Sequence, residues 1–315
     1  MKLPRLSSGA IRIAAGFPYR AAPTPISVEP APRKKYTGID YDTQWARSFG
    51  ARLARLAVLE GVITPTMHVL ASPERRGLDN LEELRRADLL QPVIFAANHH
   101  SHVDTPLLLS TIPEPWRHRM FVAAAADYFF TSRVTSTASA LVLNAIPIER
   151  TRVSRRSADD AAVLIDDGWS LLIYPEGGRS PDGWGQPFRG GAAYLALRCG
   201  VPVVPVHVEG TGRILRKGKK RPTPSATRLT FGRPLWADES EDSRHFAVRI
   251  ERAVAALADE TTTDWYTARR RAHEGTTPPL SGPDAPSPWR RAWALGDRGP
   301  KRRRVSPRKW PDLGT

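Results

Sequence analysis

An apolar run, Val93-Ile94-Phe95-Ala96-Ala97, ends abruptly in Asn98-His99-His100-Ser101-His102-Val103-Asp104-Thr105-Pro106, and Leu107-Leu108-Leu109 then resumes the apolar pattern. The run has the length and composition of a buried strand. The segment after it can open a helix, with Pro106 in the first turn. Three histidines, a serine and an aspartate therefore fall at the carboxyl end of a buried strand, where α/β folds place their chemistry. Burying that many titratable groups is costly unless they are paired or used. A histidine-rich loop without a task is the poorer reading.

The rest of the chain repeats the strand–helix alternation. Strand patterns cover 92–97, 120–125, 145–148, 170–174, 201–208 and 229–232. Helical patterns cover 105–111, 128–143, 157–167, 190–198 and 246–257. This order predicts an α/β fold, a single domain with a mixed, largely parallel sheet flanked by helices. The domain is expected to span 39–262, with 39–72 as an amphipathic helical lead-in. Residues 1–38, rich in Pro, Ala, Ser and basic side chains, read as a disordered tail, and 263–315 as a basic tail containing Pro and Trp.

In the lead-in, Trp45, Phe49, Leu53 and Leu56 interleave with Arg47, Arg52 and Arg55. Such a basic amphipathic helix can lie at a membrane interface or pack on the core; Gly61 and Pro65 are expected to break or kink it. No uninterrupted apolar stretch approaches the roughly 20 residues of a spanning helix. The N-terminus lacks the apolar core of a signal peptide. The expected location is cytoplasmic, peripheral on the inner face of the cell membrane.

A single cysteine, Cys199, rules out a disulfide framework and any Cys-rich metal site. The formal charge of +15 points to a polyanionic partner: nucleic acid, an anionic membrane surface or phosphorylated substrates.

Three known spacings overlap at the first block. His100-x-His102-x-Asp104 is most of the cluster of binuclear zinc hydrolases of the metallo-β-lactamase type. His99-His100-x-x-x-Asp104 matches acyltransferases of the chloramphenicol-acetyltransferase and condensation-domain type. Asn98-His99-x-Ser101-x-x-Asp104 matches the glycerolipid acyltransferases. One short motif cannot choose among them.

Companion blocks do. Tyr174-Pro175-Glu176-Gly177-Gly178-Arg179-Ser180 follows a strand and sets a carboxylate and a guanidinium around two glycines that let backbone approach a ligand. Asn144 to Arg150 puts an arginine at another strand end, Pro187-Phe188-Arg189-Gly190-Gly191 leads into a helix, and Val201 to Val206 follows. In order and spacing, Asn98–Asp104, Asn144–Arg150, Tyr174–Ser180 and Val201–Val206 resemble the four motifs of the glycerolipid (lysophosphatidate) acyltransferase family, over roughly residues 75–235. Departures are Asn144 for glycine and Pro147 for phenylalanine in the second block, and Tyr174 for phenylalanine and Gly178 for threonine in the third. The zinc reading lacks the histidine it needs at Thr105.

The resemblance implies transfer of an acyl group from acyl-CoA or acyl carrier protein to the hydroxyl of a lysophosphatidate-like lipid, giving phosphatidate. Glycerol 3-phosphate, another lysophospholipid or a glycolipid are alternative acceptors. It implies His99 as general base, with Asp104 turned back to its other ring nitrogen. Arg150, Glu176, Gly177 and Arg179 would bind the acceptor phosphate or glycerol, with Glu176 orienting Arg179 or the glycerol hydroxyl. Asn98, Ser101, Gly178 and Ser180 would support them. Because Asp104 is five residues on, the dyad closes only if His99 lies in the loop before the helix. Backbone N–H groups near that helix start are expected to serve the oxyanion. No metal or cofactor and no nucleic acid is expected; an anionic membrane surface is.

Overall fold

The computed structural model describes residues 38–86, 91–149, 155–180, 183–215 and 221–282. Seven strands form one sheet: β1 (Pro73–Arg76), β2 (Ile94–Ala97), β3 (Met120–Ala125), β4 (Ala145–Ile148), β5 (Ser170–Ile173), β6 (Val203–Glu209) and β7 (Thr227–Phe231). Their order is β1-β7-β6-β2-β5-β3-β4. The five strands from β6 to β4 run parallel. At the other edge β7 is antiparallel to β6 and carries β1 parallel to itself. This is the mixed, largely parallel α/β sheet that the alternation predicts.

Side chains of the buried strands divide by parity, as the pleat requires. Phe95, Leu172 and Val204 join a core with Leu107, Trp116 and Phe231 on one face. Ile94, Leu171 and Val203 join Phe121, Ile165 and Phe246 on the other. A sheet covered on both faces leaves its strand ends as the accessible place for a site. Strand β1, Pro-Glu-Arg-Arg, carries no apolar alternation and is mostly exposed, so no sequence pattern announced it.

The principal helices are α1 (Phe49–Ala71), α2 (Asp104–Thr111), α3 (Arg133–Leu143), α4 (Arg155–Asp166), α5 (Gly191–Cys199), α6 (Ser243–Thr262) and α7 (Trp265–Glu274). The expected helix from 128 is interrupted: Ala126–Phe129 is a single helical turn, and the longer helix begins at Arg133, where Ser132 and Thr135 form a capping box. It ends at Asn144, whose φ of 49° is left-handed. Asparagine tolerates that conformation better than most residues, which accounts for its standing where the family motif has glycine.

Two expectations need correction. Gly61 and Pro65 do not break the lead-in. Residues Leu59–Ile63 form a π turn, with Thr64 N–H bonded to Leu59 O, and the helix continues through Pro65 to Ala71. Within this 23-residue helix an 18-residue stretch has a mean hydropathy of 1.3 and is little buried, so by length and composition the helix is long and apolar enough to cross a membrane. Counting only uninterrupted apolar residues missed it, since Arg52, Arg55 and Glu60 punctuate the run. Arg55 is turned inward, donating to the carbonyls of Ala46, Ala140 and Leu141 and pinning α1 to the end of α3.

The basic tail also begins later than expected. Asp264 caps α7, accepting from Thr267 N–H at 2.9 Å, and Ala268 is buried, so described structure continues to Gly282. Residues 1–37 and 283–315 lie outside the described residues.

Candidate active site

The first block sits where β2 ends. Asn98, 1% exposed, extends the β2–β6 ladder with its side chain: Nδ2 donates to Val208 O at 2.9 Å, and Val208 N–H donates to Oδ1 at 2.7 Å. That fixes the direction in which the chain leaves the sheet. His99 therefore lies in the turn before α2, and Asp104 is the first residue of the helix. Asp104 Oδ2 accepts from His99 Nδ1 at 2.8 Å, from His100 N–H at 2.7 Å and from Ser101 N–H at 2.9 Å. Burial opposes ionisation of this carboxyl, but the His99 bond, the charges of His99 and His100 and the Ser101 N–H outweigh it and hold Asp104 below its usual value. The turn is closed by Ser101 Oγ on Leu215 O at 2.6 Å.

The second wall of His99 comes from the third block. The Tyr174 ring stacks on the imidazole with centroids 4.0 Å apart and planes 17° apart. Its hydroxyl bonds Thr105 Oγ1 at 2.9 Å, and burial keeps the phenol neutral by raising its pKa well above the usual value. Ser180 N–H donates to His99 O at 2.8 Å, and Gly183 N–H to Ser180 Oγ at 2.7 Å.

Glu176 is 1% exposed and does not hold Arg179 as expected. Its Oε1 accepts His99 N–H at 2.8 Å and its Oε2 accepts Gln186 N–H at 2.9 Å. It is a buckle between two loops. Burial, opposed by those two bonds and reinforced by Asp104 and Glu251, raises its pKa to about 7.

Three backbone donors of the turn are committed within the site: His99 N–H to Glu176, and His100 and Ser101 N–H to Asp104. The short turn spends its own donors on orienting the dyad.

The three histidines diverge. His102 Nε2 bonds Tyr128 Oη at 2.8 Å, and the two rings stack at 5.0 Å. Burial, then the nearby Arg179 and His99, lower the His102 pKa to about 4. Burial likewise lowers that of His100, against the pull of Asp104. Among the described residues no three His, Cys, Asp or Glu side chains converge as metal ligands, so the zinc-hydrolase spacing does not become a zinc geometry.

These elements line a cleft of about 590 Å³. Its walls combine the apolar side chains of Val122, Ala124, Leu143, Ile148 and Ala192 with the polar ones of His99, His102, Gln186, Arg179 and Arg189. Arg179 lies over the Tyr128 ring at 6.0 Å. Gly177 has φ 73°, and a Cβ there would stand 3.1 Å from the Arg189 guanidinium. Gly177 thus gives Arg189 its resting surface, and Gly178 lines the same cleft. Arg150 lies outside the described residues, although its neighbour Glu149 lines the cleft. Sequence reasoning gave no role to Arg189, Gln186, Thr105 or Tyr128. The one usable signal was an arginine before two glycines at a helix start.

The geometry has counterparts. The family model described as Acyltransferase matches residues 74–209. A chloroplastic 1-acyl-sn-glycerol-3-phosphate acyltransferase of Brassica napus is 32% identical over 147 residues, which is 45% of this chain and 40% of that one. The human 1-acyl-sn-glycerol-3-phosphate acyltransferase beta is 29% identical over 133 residues, covering 39% and 43%. The matched stretch thus spans about two fifths of these relatives' own length. In fold, the chain is similar to the crystal structure of the 1-acyl-sn-glycerophosphate (LPA) acyltransferase PlsC from Thermotoga maritima. The TM-score is 0.52 at 22% identity, over 73% of this chain and 86% of that one. With the four blocks in order and this sheet beneath them, residues 74–209 of the chain are similar to the acyltransferase family.

Proposed function

We propose that this protein is an O-acyltransferase that moves an acyl group from a thioester to the hydroxyl of a lysophosphatidate-like lipid. The observation that carries the reading is the 2.8 Å bond from His99 Nδ1 to buried Asp104 at the edge of the cleft. That bond fixes the tautomer and leaves Nε2 as the proton acceptor. A hydroxyl is a poor nucleophile until its proton leaves. In the proposed step His99 Nε2 takes that proton as the hydroxyl oxygen attacks the thioester carbonyl. The tetrahedral intermediate then expels the thiolate, which recovers the proton from the imidazolium, while Asp104 steadies the cation between the two transfers.

The cleft suits both parts of such substrates. Its apolar lining fits an acyl chain. Arg179 and Arg189 in the same walls suit the acceptor phosphate, for which a guanidinium fork is well matched. Arg150 would join them. Acyl-CoA and acyl carrier protein both supply the thioester, the chemistry asks for no metal or resident cofactor, and phosphatidate for phospholipid synthesis is the expected product. The exposed apolar residues of α1, including Phe49, Leu53, Val62 and Val69, suit lodging that helix in an anionic membrane surface, where both lipids reside.

The test is acyl transfer from labelled acyl-CoA, and separately from acyl carrier protein, to lysophosphatidate, glycerol 3-phosphate and other lysophospholipids. Wild type is expected to acylate lysophosphatidate, and His99→Ala to lose roughly a hundredfold or more of kcat. Wild-type activity that survives His99→Ala would overturn the mechanism. Transfer only to another acceptor would keep the mechanism and change the substrate.

A further inference from the structure

The acceptor wall of the cleft is not self-supporting. Residues 183–189 cross it as a loop without regular structure. The loop is tied to the third block at Ser180, Glu176 and Arg179 and by Arg189 N–H on Pro175 O at 2.9 Å, and is held from outside by two further bonds. Phe188 N–H donates to Glu251 Oε2 of α6 at 2.9 Å. Gly185 N–H donates to Leu280 O at 2.9 Å, from the segment that follows α7. That segment leaves α7 through Gly275 at φ 71°, is turned by Thr276 N–H on Arg271 O at 2.9 Å, and closes with Gly282 N–H on Pro279 O at 3.1 Å.

Two glycines show how closely the chains run. A Cβ on Gly185 would stand 2.8 Å from Leu280 Cβ. A Cβ on Gly282, itself at φ 73°, would stand 2.5 Å from the Trp184 ring. Neither distance is tolerable, so both chains must be in place together. From this contact, hydrogen bonds lead inward. Gln186 donates its N–H to Glu176 Oε2 and its side-chain amide to Arg179 O, and Glu176 Oε1 receives His99 N–H.

We infer that residues 276–282 form a strap that belongs to the acceptor site: by holding Gly185 and Trp184 they position Gln186, Arg189 and Glu176 for the acceptor headgroup. The inference rests on the acyl-transfer reading for what the loop binds. It goes beyond that reading because the strap lies outside residues 74–209, the part that matches the family model. Leu280 and Gly282 touch no reacting atom; they are positioning residues. The apolar lining residues of the cleft, Val122, Ala124, Leu143, Ile148 and Ala192, belong to β3, α3, β4 and α5 rather than to the strap. Disturbing the strap should therefore weaken the acceptor alone.

The experiment uses the full chain in four forms: wild type, Gly282→Val, Gly185→Ala, and Gly185→Ala combined with Leu280→Gly, which removes the Cβ that Gly185→Ala meets. Steady-state transfer from acyl-CoA to lysophosphatidate is measured with each substrate varied in turn. Gly282→Val and Gly185→Ala are expected to raise the acceptor KM roughly tenfold while the donor KM stays within about twofold, and the double variant to recover most of the loss. Donor and acceptor KM rising together, unchanged constants in both single variants, or no recovery in the double variant would each overturn the strap. A second arm needs no substrate: hydrogen exchange at 183–189 and at the His99 amide is compared in wild type and Gly282→Val. Faster exchange at both is expected; unchanged exchange overturns the coupling even if wild type proves inactive. Faster exchange in a protein that acylates nothing would instead leave the strap standing and remove the acyl-transfer reading.

Discussion

The turn at His99 and the loop at 183–189 bound the same cleft but are held by different means. In the turn, a carboxylate five residues from the base gathers three donors onto one oxygen, and Glu176, Ser180, Val208, Leu215 and Tyr128 hold the segment from outside. In the loop, Gly185 and Phe188 bond to segments distant in sequence, the strap and α6, while Gln186 bonds to the third block just before it. The turn is stiff by local arithmetic, the loop by assembly. On the proposed mechanism, that division would give precision where the proton moves and adjustability where the headgroup is chosen.

The sharpest break is expected at the turn. Asp104→Asn removes the charge that steadies the imidazolium, and kcat should fall by roughly a hundredfold or more with both KM values little changed. A loss confined to KM would show that Asp104 only builds the turn. Across the cleft, effects should be smaller and selective. Arg189→Ala and Arg179→Ala should each raise the lysophosphatidate KM about tenfold, as expected for one charge-assisted contact. Assays with an uncharged monoacylglycerol acceptor sharpen the point, because wild type and variants should converge there. If the penalty persists without the phosphate, the two arginines are not its ligands.

Titration separates buried groups of opposite sign. The Glu176 carboxyl is raised to about 7 from 4.5, so the folded form stays protonated where the unfolded chain ionises. Its contribution is complete below pH 4.5 and is lost as pH rises through about 7. His207 is lowered to about 3 from 6.5 by burial, then by His100 and Arg228, so the unfolded chain takes up the proton first. Its contribution is complete above pH 6.5 and is lost as pH falls toward 3. Thermal melts from pH 3 to 8 should show Glu176→Gln flattening the neutral side and His207→Gln the acid side. Identical profiles in wild type and variants would refute the assignment. The smallest effect is expected on α1. Phe49→Ser with Val69→Ser should lower co-sedimentation with anionic vesicles several-fold, since a side chain at a membrane interface gains only a small part of the about 1.5–3 kcal/mol that full burial is worth. Acyl transfer to a water-soluble acceptor should be spared.

Much was legible because it is local. Apolar runs with parity gave six of the strands, and the abrupt polar ending of β2 gave His99 and Asp104, whose spacing already demanded a loop before α2. Strand β1 was hidden because an exposed edge strand needs no apolar alternation. The end of the tail was misread for the opposite reason: α7 has a short buried face, and the strap is held by backbone bonds and close approach, which leave no periodicity. Likewise Pro65 reads as a breaker until a π turn absorbs it.

The residue pattern alone thus determined the class of sheet, the dyad and the blocks that surround it, since period, spacing and side-chain chemistry are properties of neighbouring residues. Only the tertiary structure decided that Glu176 is a buckle rather than a partner of Arg179, that Arg189 lines the same cleft as Arg179, and that Leu280 reaches the loop at 183–189. Each of those depends on which distant backbone donor finds a buried acceptor. Long-range closure settles that choice, and no local pattern records it.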